Sequence, residues 1–389
     1  RNQLVAFDAG VRSPVANASF PNLTGGLVYA DAGNRYVYSW DKNNVAPRIG
    51  LAWQAARSTV VRAGVGLFYA PLQISNNAVG YTPTTGYSSG TPMVTSADGG
   101  LTPFATLSNP FPNGLVAPTG SSLGAATGLG QAIAVWANSI TAPASYQWNF
   151  NVQQQLPHSV LIDAAYVGNR GVHLAGPRQI NTLPTEYLAR GTALLQTVRN
   201  PFASSIPTGA MAQANVTTSR LLRPFPQFEA VSHINTTAGN SIYHALQLKV
   251  EKRIQAGFSL LIAYTAGKLI TDVPWALAGI GPNNGSGQYQ DWNNLRAERA
   301  LSAQDVSQSL VLSYTYEPPL GRGKRFGTAW RGAAQWVLGG WQINGVTRLS
   351  TGTPLALATS TNNTNSLGGG SRPNSNGTSA AMPKGRSTN

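Results

Sequence analysis

One serine motif is the first place to look for chemistry in this chain. The pattern Gly-x-Ser-x-Gly occupies residues 86–90, "GYSSG". A serine nucleophile of this type needs a buried strand before it and a helix after it. Here "YTPTT" precedes the motif and "TPMVTSADGG" follows it. The flanking sequence therefore predicts a loop rather than a nucleophile.

The histidines give no clearer sign of a site. His158, His173, His233 and His244 do not have the spacing of a metal-binding motif, and the chain contains no cysteine. Structural or solvent-exposed roles fit them better. The glycines of "LGRGKR", residues 320–325, lack the strand, loop and helix frame of a phosphate-binding loop. We predict no catalytic residue, no metal site, no cofactor and no enzymatic activity.

Composition narrows the class of protein. Only 10% of the 389 residues are charged, 42% are hydrophobic, and the formal net charge is +14. Such an excess of positive charge is compatible with nucleic acid, anionic lipid or anionic solutes as partners. The basic residues are scattered and form no nucleic-acid-binding motif, so nucleic acid is not expected as a partner. No run of 18 apolar residues occurs, so no transmembrane helix is expected.

The elements that would hold any site are strands. Alternation of apolar and polar residues with period two predicts an all-β protein, an antiparallel meander of about nine strands. The predicted strands lie near residues 2–12, 46–54, 59–69, 145–156, 159–169, 241–254, 258–268, 308–317 and 336–350.

Each predicted strand separates its residues into two faces. Trp148, Phe150 and Val152 alternate with Asn149, Asn151 and Gln153, for example. The polar candidates for a water-filled lumen are Arg48, Arg62, Asn149, Asn151, Gln153, Gln247, Lys249, Arg253, Gln342, Asn344 and Arg348. The aromatic candidates for a membrane interface are Tyr69, Trp148, Tyr166, Tyr264, Trp336 and Trp341.

Connection lengths favour a membrane barrel. Most connections within strand pairs have two to four residues, whereas those between pairs run over 13–45, 70–144, 170–240 and 269–307. If the strands run up and down, every short turn lies at one end and every long loop at the other. Outer-membrane β-barrels have this asymmetry, with short periplasmic turns and long extracellular loops. The alternative is a soluble or surface-attached β-rich binding protein, resembling an adhesin, whose strands alternate for the same reason.

Six segments in the same order resemble one family. They are "NNVAPRIGLAWQ", "STVVRAGVGLFYAP", "SYQWNFNVQQQLPHSVLIDAAYVGNRGVHL", "YHALQLKVEKRIQAGFSLLIAYTAGKLITD", "NNLRAERALSAQDVSQSLVLSYTYEPPLGRGKRF" and "VLGGWQINGVTRLSTGTPL". Together they resemble the Oar-like TonB-dependent outer-membrane receptors abundant in acidobacteria. The resemblance implies a bacterial outer-membrane barrel that binds a ligand with its extracellular loops and passes it through a plug-gated lumen. It also implies lipid, the protein's own plug domain, TonB and an unidentified ligand as partners.

The chain departs from that family in extent. Plugged transporter barrels have about 22 strands, and the sequence predicts about nine. We find no plug domain, no TonB box and no N-terminal regulatory-like domain in residues 1–389. We therefore expect the chain to be part of a larger transmembrane barrel.

Overall fold

A computed structural model describes residues 5–33, 35, 39, 41–70, 86–91, 93–139, 141–255, 257–273, 289–354, 364 and 372–373. Within those ranges strands are the main regular elements, and the helices are few and short. None of the helices in this part of the chain is long and apolar enough to cross a membrane.

A large antiparallel meander dominates the fold. Eight strands follow one another in the sheet, and neighbours in sequence are neighbours in space. They are β3 (Arg48–Ala56), β4 (Thr59–Tyr69), β6 (Ala144–Leu156), β7 (Val160–Gln179), β10 (Ala230–Gln255), β11 (Phe258–Thr271), β13 (Gln308–Tyr316) and β14 (Ile343–Ser350). Two short strands, β5 (Ala132–Val135) and β12 (Ala300–Leu301), pair with β10 and β11. The predicted all-β antiparallel meander is confirmed.

The connections alternate as the sequence predicts. Short turns join β3 to β4, β6 to β7 and β10 to β11, and they lie at one end of the sheet, the turn side. The β6–β7 turn is tight enough to place both His158 and Ser159 at positive φ, 61° and 58°. The long connections that follow β4, β7 and β11 leave from the opposite end, the loop side.

The last pair of strands differs from its prediction. Residues 336–350 were expected to form one strand, but β14 begins at Ile343, and α2 (Ala333–Leu338) precedes it. Gly339 and Gly340 end the helix, and Gly340 has a φ of 76°, which other residues rarely adopt. The Trp341 indole N–H then donates to the carbonyl of Val337 over 2.7 Å, which satisfies one carbonyl of the helix end.

The first predicted strand lies outside the meander. β1 (Val5–Arg12) pairs with β2 (Thr24–Tyr29) in a separate two-stranded sheet. Val5 and Phe7 are almost completely buried, and the Phe7 ring makes edge-on contacts with Phe225 and Phe228. A strand whose side chains enter a protein core in this way cannot also form part of a barrel wall. Residues 2–4 of the prediction lie outside the described part of the chain.

The loops on the loop side fold together into a second unit, here called the loop dome, which comprises residues 5–30, 123–137 and 180–231. Its smaller elements are β8 (Thr197–Arg199), β9 (Asn215–Thr217), α1 (Thr218–Leu221) and the 3₁₀ segments Gly124–Ala126, Thr185–Leu195 and Ala210–Ala212. They enclose a hydrophobic core formed by Val5, Phe7, Val15, Leu23, Leu27, Leu129, Ile133, Val135, Phe202, Ile206, Met211, Val216, Phe228 and Val231. The dome joins the meander where β5 pairs in parallel with the first residues of β10.

Candidate functional site

The register of the meander sorts its side chains onto two surfaces. Residues directly opposite each other in neighbouring strands share a face. One continuous apolar face therefore runs from Trp53 through Phe150 and Leu248 to Leu312. Its remaining apolar members are Ile49, Leu51, Val61, Val65, Leu67, Val152, Ile162, Leu246, Val250, Leu260, Ile262, Leu310, Ile343 and Leu349.

This apolar face is exposed. Trp53 is 59% exposed and Phe150 is 50% exposed, although both belong to regular paired strands. Soluble monomers rarely leave so large a continuous apolar surface uncovered. A lipid-facing wall has this property, because the surrounding hydrocarbon takes the place of a protein core.

Charged and polar groups border the apolar face at both ends. On β10 the apolar run lies between His244 and Lys252, a separation of about 26 Å at a rise of about 3.3 Å per residue. Outer-membrane barrels carry an apolar band about 25 Å tall. At the turn side the Lys252 ammonium group donates to the carbonyl of His158 over 3.3 Å. Lys268 and Arg170 continue the border at the loop side. Lys268 of β11 lies directly opposite His244, and Arg170 of β7 lies opposite Ile242, two residues nearer to the loops.

An aromatic cluster marks the loop-side border. The Tyr166 hydroxyl lies 2.7 Å from Nδ1 of His244, and the two rings stack with centroids 6.0 Å apart. The Trp148 ring lies 5.8 Å from the His244 ring. Gly168 makes this possible, because a Cβ atom at Gly168 would lie 2.1 Å from the indole. Rings with one polar group are typical of membrane interfaces.

The other predicted interface aromatics are placed less uniformly. Tyr69 ends β4 at the loop side, opposite Ala144. Tyr264 lies in the middle of β11, beside Leu248, and not near a strand end. Trp336 is 88% exposed on helix α2, and Trp341 lies in the segment between that helix and β14. Alternation fixes the face of a residue but gives no height along the strand, so the sequence could not indicate this position for Tyr264.

The opposite face carries most of the predicted polar candidates. Arg48, Arg62, Lys249 and Arg348 all lie on the side away from Trp148 and Leu248. So do Asn149, Asn151, Gln153, Gln247 and Asn344. Gln342 precedes β14, and its side-chain amide reaches Glu317 at 3.5 Å. Arg253 belongs to β10, but its side chain lies outside the described part of the structure.

Neighbouring side chains on the polar face bind one another through hydrogen bonds and one ion pair. Arg62 donates to Gln153 over 3.1 Å, and Asn151 donates to the Asp163 carboxylate. The Lys249 ammonium group pairs with Glu251 at 2.9 Å.

A shallow trough lies at the loop-side end of this polar face. Gly64 and Gly66 leave room for it, and Arg48 lies over the Phe68 ring at 4.5 Å. The trough has a volume of about 420 Å³ and is lined also by Gln147, Asn149, Asn169 and Tyr243. The lining also includes Trp148 and aliphatic side chains, so the trough offers amides, one cation and three aromatic rings to a solute with both polar and apolar parts.

The loop dome has its own polar contacts, which sequence reasoning missed. The Gln227 amide, completely buried, donates to the carbonyls of Thr24 and Gly25 at 2.9 and 3.0 Å. Arg220 binds the Glu229 carboxylate through both terminal nitrogens, and this hydrogen bonding lowers the pKa of Glu229. Burial and then the nearby Arg220 charge lower the pKa of Arg223 to about 10. Apart from Arg220 in α1, the side chains of these contacts belong to irregular segments, where no period in the sequence indicates their partners.

The residues considered for chemistry are dispersed. Ser88 of the Gly-x-Ser-x-Gly pattern lies in an irregular loop with no helix after it. His158 lies in the β6–β7 turn and His173 near the loop-side end of β7, whereas His244 is part of the aromatic cluster. Among the residues that the structure describes, no group of three or more His, Asp or Glu side chains could hold a metal ion. Residues 291–305 contain the 3₁₀ turn Leu295–Glu298.

Comparison with solved structures returns outer-membrane proteins. One is the outer membrane transporter YddB from Escherichia coli, 11% identical, with a TM-score of 0.35 over 75% of this chain and 28% of that chain. A second is the siderophore receptor PirA from Acinetobacter baumannii, 10% identical, with a TM-score of 0.33 over 71% and 27%. A third is the alcaligin outer membrane receptor FauA from Bordetella pertussis, 9% identical, with a TM-score of 0.30 over 77% and 30%. This chain thus spans less than a third of each of those proteins.

A family comparison covers the whole chain. No curated protein matches it, but the family model described as an outer membrane beta barrel domain matches residues 1–389. The predicted location in the bacterial outer membrane is therefore confirmed. The chain belongs to the outer membrane β-barrel domain family.

Proposed function

We propose that this chain forms part of the wall of a TonB-dependent outer-membrane transporter, with the loop dome as its extracellular ligand-capturing side. The observation that carries the proposal is the two-faced meander. One face is continuously apolar and exposed, the other is polar, and the folded loops all leave from one end. The Oar-like resemblance of the paired segments supports TonB as the source of energy.

The unpaired edges support a larger barrel. Among the described residues, β3 and β14 are the two ends of the sheet and pair with no further strand. Unpaired backbone groups at a strand edge are not tolerated in hydrocarbon. Additional strands of the complete protein would satisfy these edges, and the wider barrel would leave room for a plug. The polar candidates Arg48, Arg62, Lys249 and Arg348 would then line the lumen and meet either the plug or the passing ligand.

The expected role is binding and passage rather than catalysis. The ligand would meet the dome first and the polar trough at Arg48 and Phe68 next, both at the loop side. TonB would act from the periplasmic side, through a plug encoded elsewhere in the same gene. We expect the complete reading frame to encode that plug.

Membrane fractionation of cells that produce the complete gene product tests the proposal. We expect the protein in the outer-membrane fraction, with an unheated band that migrates differently from the heated band, because a closed barrel resists unfolding in detergent. We also expect the purified periplasmic domain of TonB to retain the protein on a column. A soluble product without heat-dependent migration would favour the adhesin-like alternative, and failure to bind TonB would remove the transport mechanism alone.

A further inference from the structure

Three buried polar atoms without a hydrogen-bond partner lie together where β7 and β10 extend beyond the apolar band. They are Nε of Arg178, Nε2 of His233 and Oγ1 of Thr236. Arg178 lies directly opposite His233 in the ladder, and Thr236 lies opposite Gly176. A bulge in β10 between His233 and Thr236 keeps all three side chains on one face.

Such a group calls for a common explanation. Buried side-chain polar atoms in native proteins nearly always have a hydrogen-bond partner. An arginine N–H and a threonine hydroxyl both donate, and histidine donates through Nε2 in one neutral form and in its charged form. All three groups can therefore donate to a single acceptor. Arg178 and His233 lie opposite each other, so their Cβ atoms are about 5 Å apart, close enough to share one acceptor, and Thr236 lies at the next paired position of the same face.

The surrounding carboxylates are already engaged. Glu298 accepts from the backbone N–H groups of Gln290 and Asp291 and pairs with Arg372. Asp272 accepts from the backbone and side chain of Asn240. In the described part of the chain, Arg178 forms no ion pair with either of them.

Two further titratable groups near Arg178 are uncharged at neutral pH. Burial lowers the pKa of His233, and the positive charge of Arg178 lowers it further, so the imidazole is neutral at pH 7. Burial, and then Asp272 and Glu298, raise the pKa of Tyr289 to about 12, so the phenol keeps its proton. On its other side His233 lies opposite Val135 of β5, which does not titrate. The cluster thus offers the Arg178 cation, which forms no ion pair with another described residue, and the donors of His233 and Thr236.

We propose that Arg178, His233 and Thr236 form a binding site for a carboxylate group of the ligand at the loop-side rim of the sheet. The free Nε of Arg178, together with a terminal guanidinium nitrogen, can hold a planar carboxylate through two parallel hydrogen bonds. Thr236 and His233 donate to the same group from the neighbouring strand. A planar carboxylate places both oxygens in the plane of the guanidinium group, so we assign carboxylate, rather than tetrahedral phosphate, to the site.

The site deepens the proposed function, because it assigns a ligand class to the loop side. The binding step itself does not depend on TonB or on transport. A failure of TonB binding would therefore leave the site untouched, and a failure of the carboxylate test would leave the transporter proposal standing.

Oxalate and inorganic phosphate are the probes for a titration of the complete protein, extracted from the outer membrane into detergent. We expect oxalate to bind and to raise the melting temperature, and phosphate to bind more weakly. Arg178→Gln should weaken oxalate binding at least about tenfold, because it removes the positive charge from both hydrogen bonds to the carboxylate. Thr236→Val keeps the shape of the side chain and should weaken binding severalfold.

Arg170→Gln is the matched control, since Arg170 is an exposed arginine on the same strand. It should bind oxalate as the unmodified protein does. Arg178→Gln should fold normally without oxalate, because the buried Nε atom that it removes has no hydrogen-bond partner to lose. Equal oxalate responses in Arg178→Gln and Arg170→Gln, or stronger binding of phosphate than of oxalate, would overturn the proposal.

Discussion

The meander and the loop dome differ in the exposure of their apolar side chains. In the dome Phe202 is completely buried, whereas in the meander Phe150 is half exposed on a regular strand. The dome therefore has the core of a protein that folds in water. The meander has an exposed apolar surface that is suited to lipid rather than to water, which agrees with the outer-membrane family to which the chain belongs. The same chain is thus stabilised by protein packing in one region and by lipid in the other.

The largest expected effect is a cavity in the dome. Phe202→Ala removes a completely buried ring from the core, which should cost about 3–5 kcal/mol of unfolding free energy. We expect rapid proteolysis of the dome in Phe202→Ala at protease concentrations that leave the unmodified dome intact. The heat-dependent migration of the barrel should persist, because the meander does not depend on this core. Loss of both together would show that the two regions fold as one unit.

The next effect is a charge on the apolar face. Leu248→Arg places a cation in the middle of the band, which should cost about 2–4 kcal/mol when that face meets lipid. Gln247→Arg is the matched control on the polar face, next to Leu248 in β10. The assembled fraction on an unheated gel should fall for Leu248→Arg and remain unchanged for Gln247→Arg. Equal losses would mean that the two faces do not meet different solvents.

A smaller effect is expected at the aromatic cluster. Gly168→Ala forces the Trp148 indole to move, because the new methyl group would lie 2.1 Å from it. Overpacking of this kind costs about 1–3 kcal/mol. Gly50→Ala is the control, since the nearest atom to its Cβ is a backbone oxygen at 3.9 Å. We expect a lower unfolding temperature in detergent for Gly168→Ala only.

The smallest expected effect is on the stability of the dome at acid pH. The folded-state pKa of Glu229 is lowered, first by hydrogen bonding from Arg220. Its contribution to stability is therefore complete above the ordinary glutamate pKa and is lost as the pH falls through the lowered value. We expect Glu229→Gln to lessen the acid sensitivity of dome unfolding, measured by proteolysis between about pH 3 and pH 7. The pH profile of barrel migration should not change.

The sequence predicts these two regions unequally. Period-two alternation locates the meander strands and separates Arg62 and Lys249 from Phe150 and Leu248 correctly. It fails near Trp336, because the apolar run "WVLGGWQ" is interrupted by two glycines that turn the chain between α2 and β14.

The dome could not be predicted in this way. Residues such as Val15, Phe202 and Met211 meet in space without any regular spacing along the chain. Their segments are long and rich in glycine and polar residues, so they resemble unstructured loops. The candidate carboxylate site shares this difficulty, since Arg178 and His233 are brought together by the pairing of strands 50 residues apart in sequence.

The most direct test of the account is a cysteine scan along β10, which is possible because the chain contains no cysteine. Single cysteines at residues 246–251 would carry a nitroxide label in the complete protein, reconstituted in lipid. We expect labels at 246, 248 and 250 to be accessible to oxygen, which is concentrated in hydrocarbon. Labels at 247, 249 and 251 should instead be accessible to a water-soluble nickel chelate. Accessibility without this alternation, or with the two sets exchanged, would contradict the assignment of the apolar face to lipid.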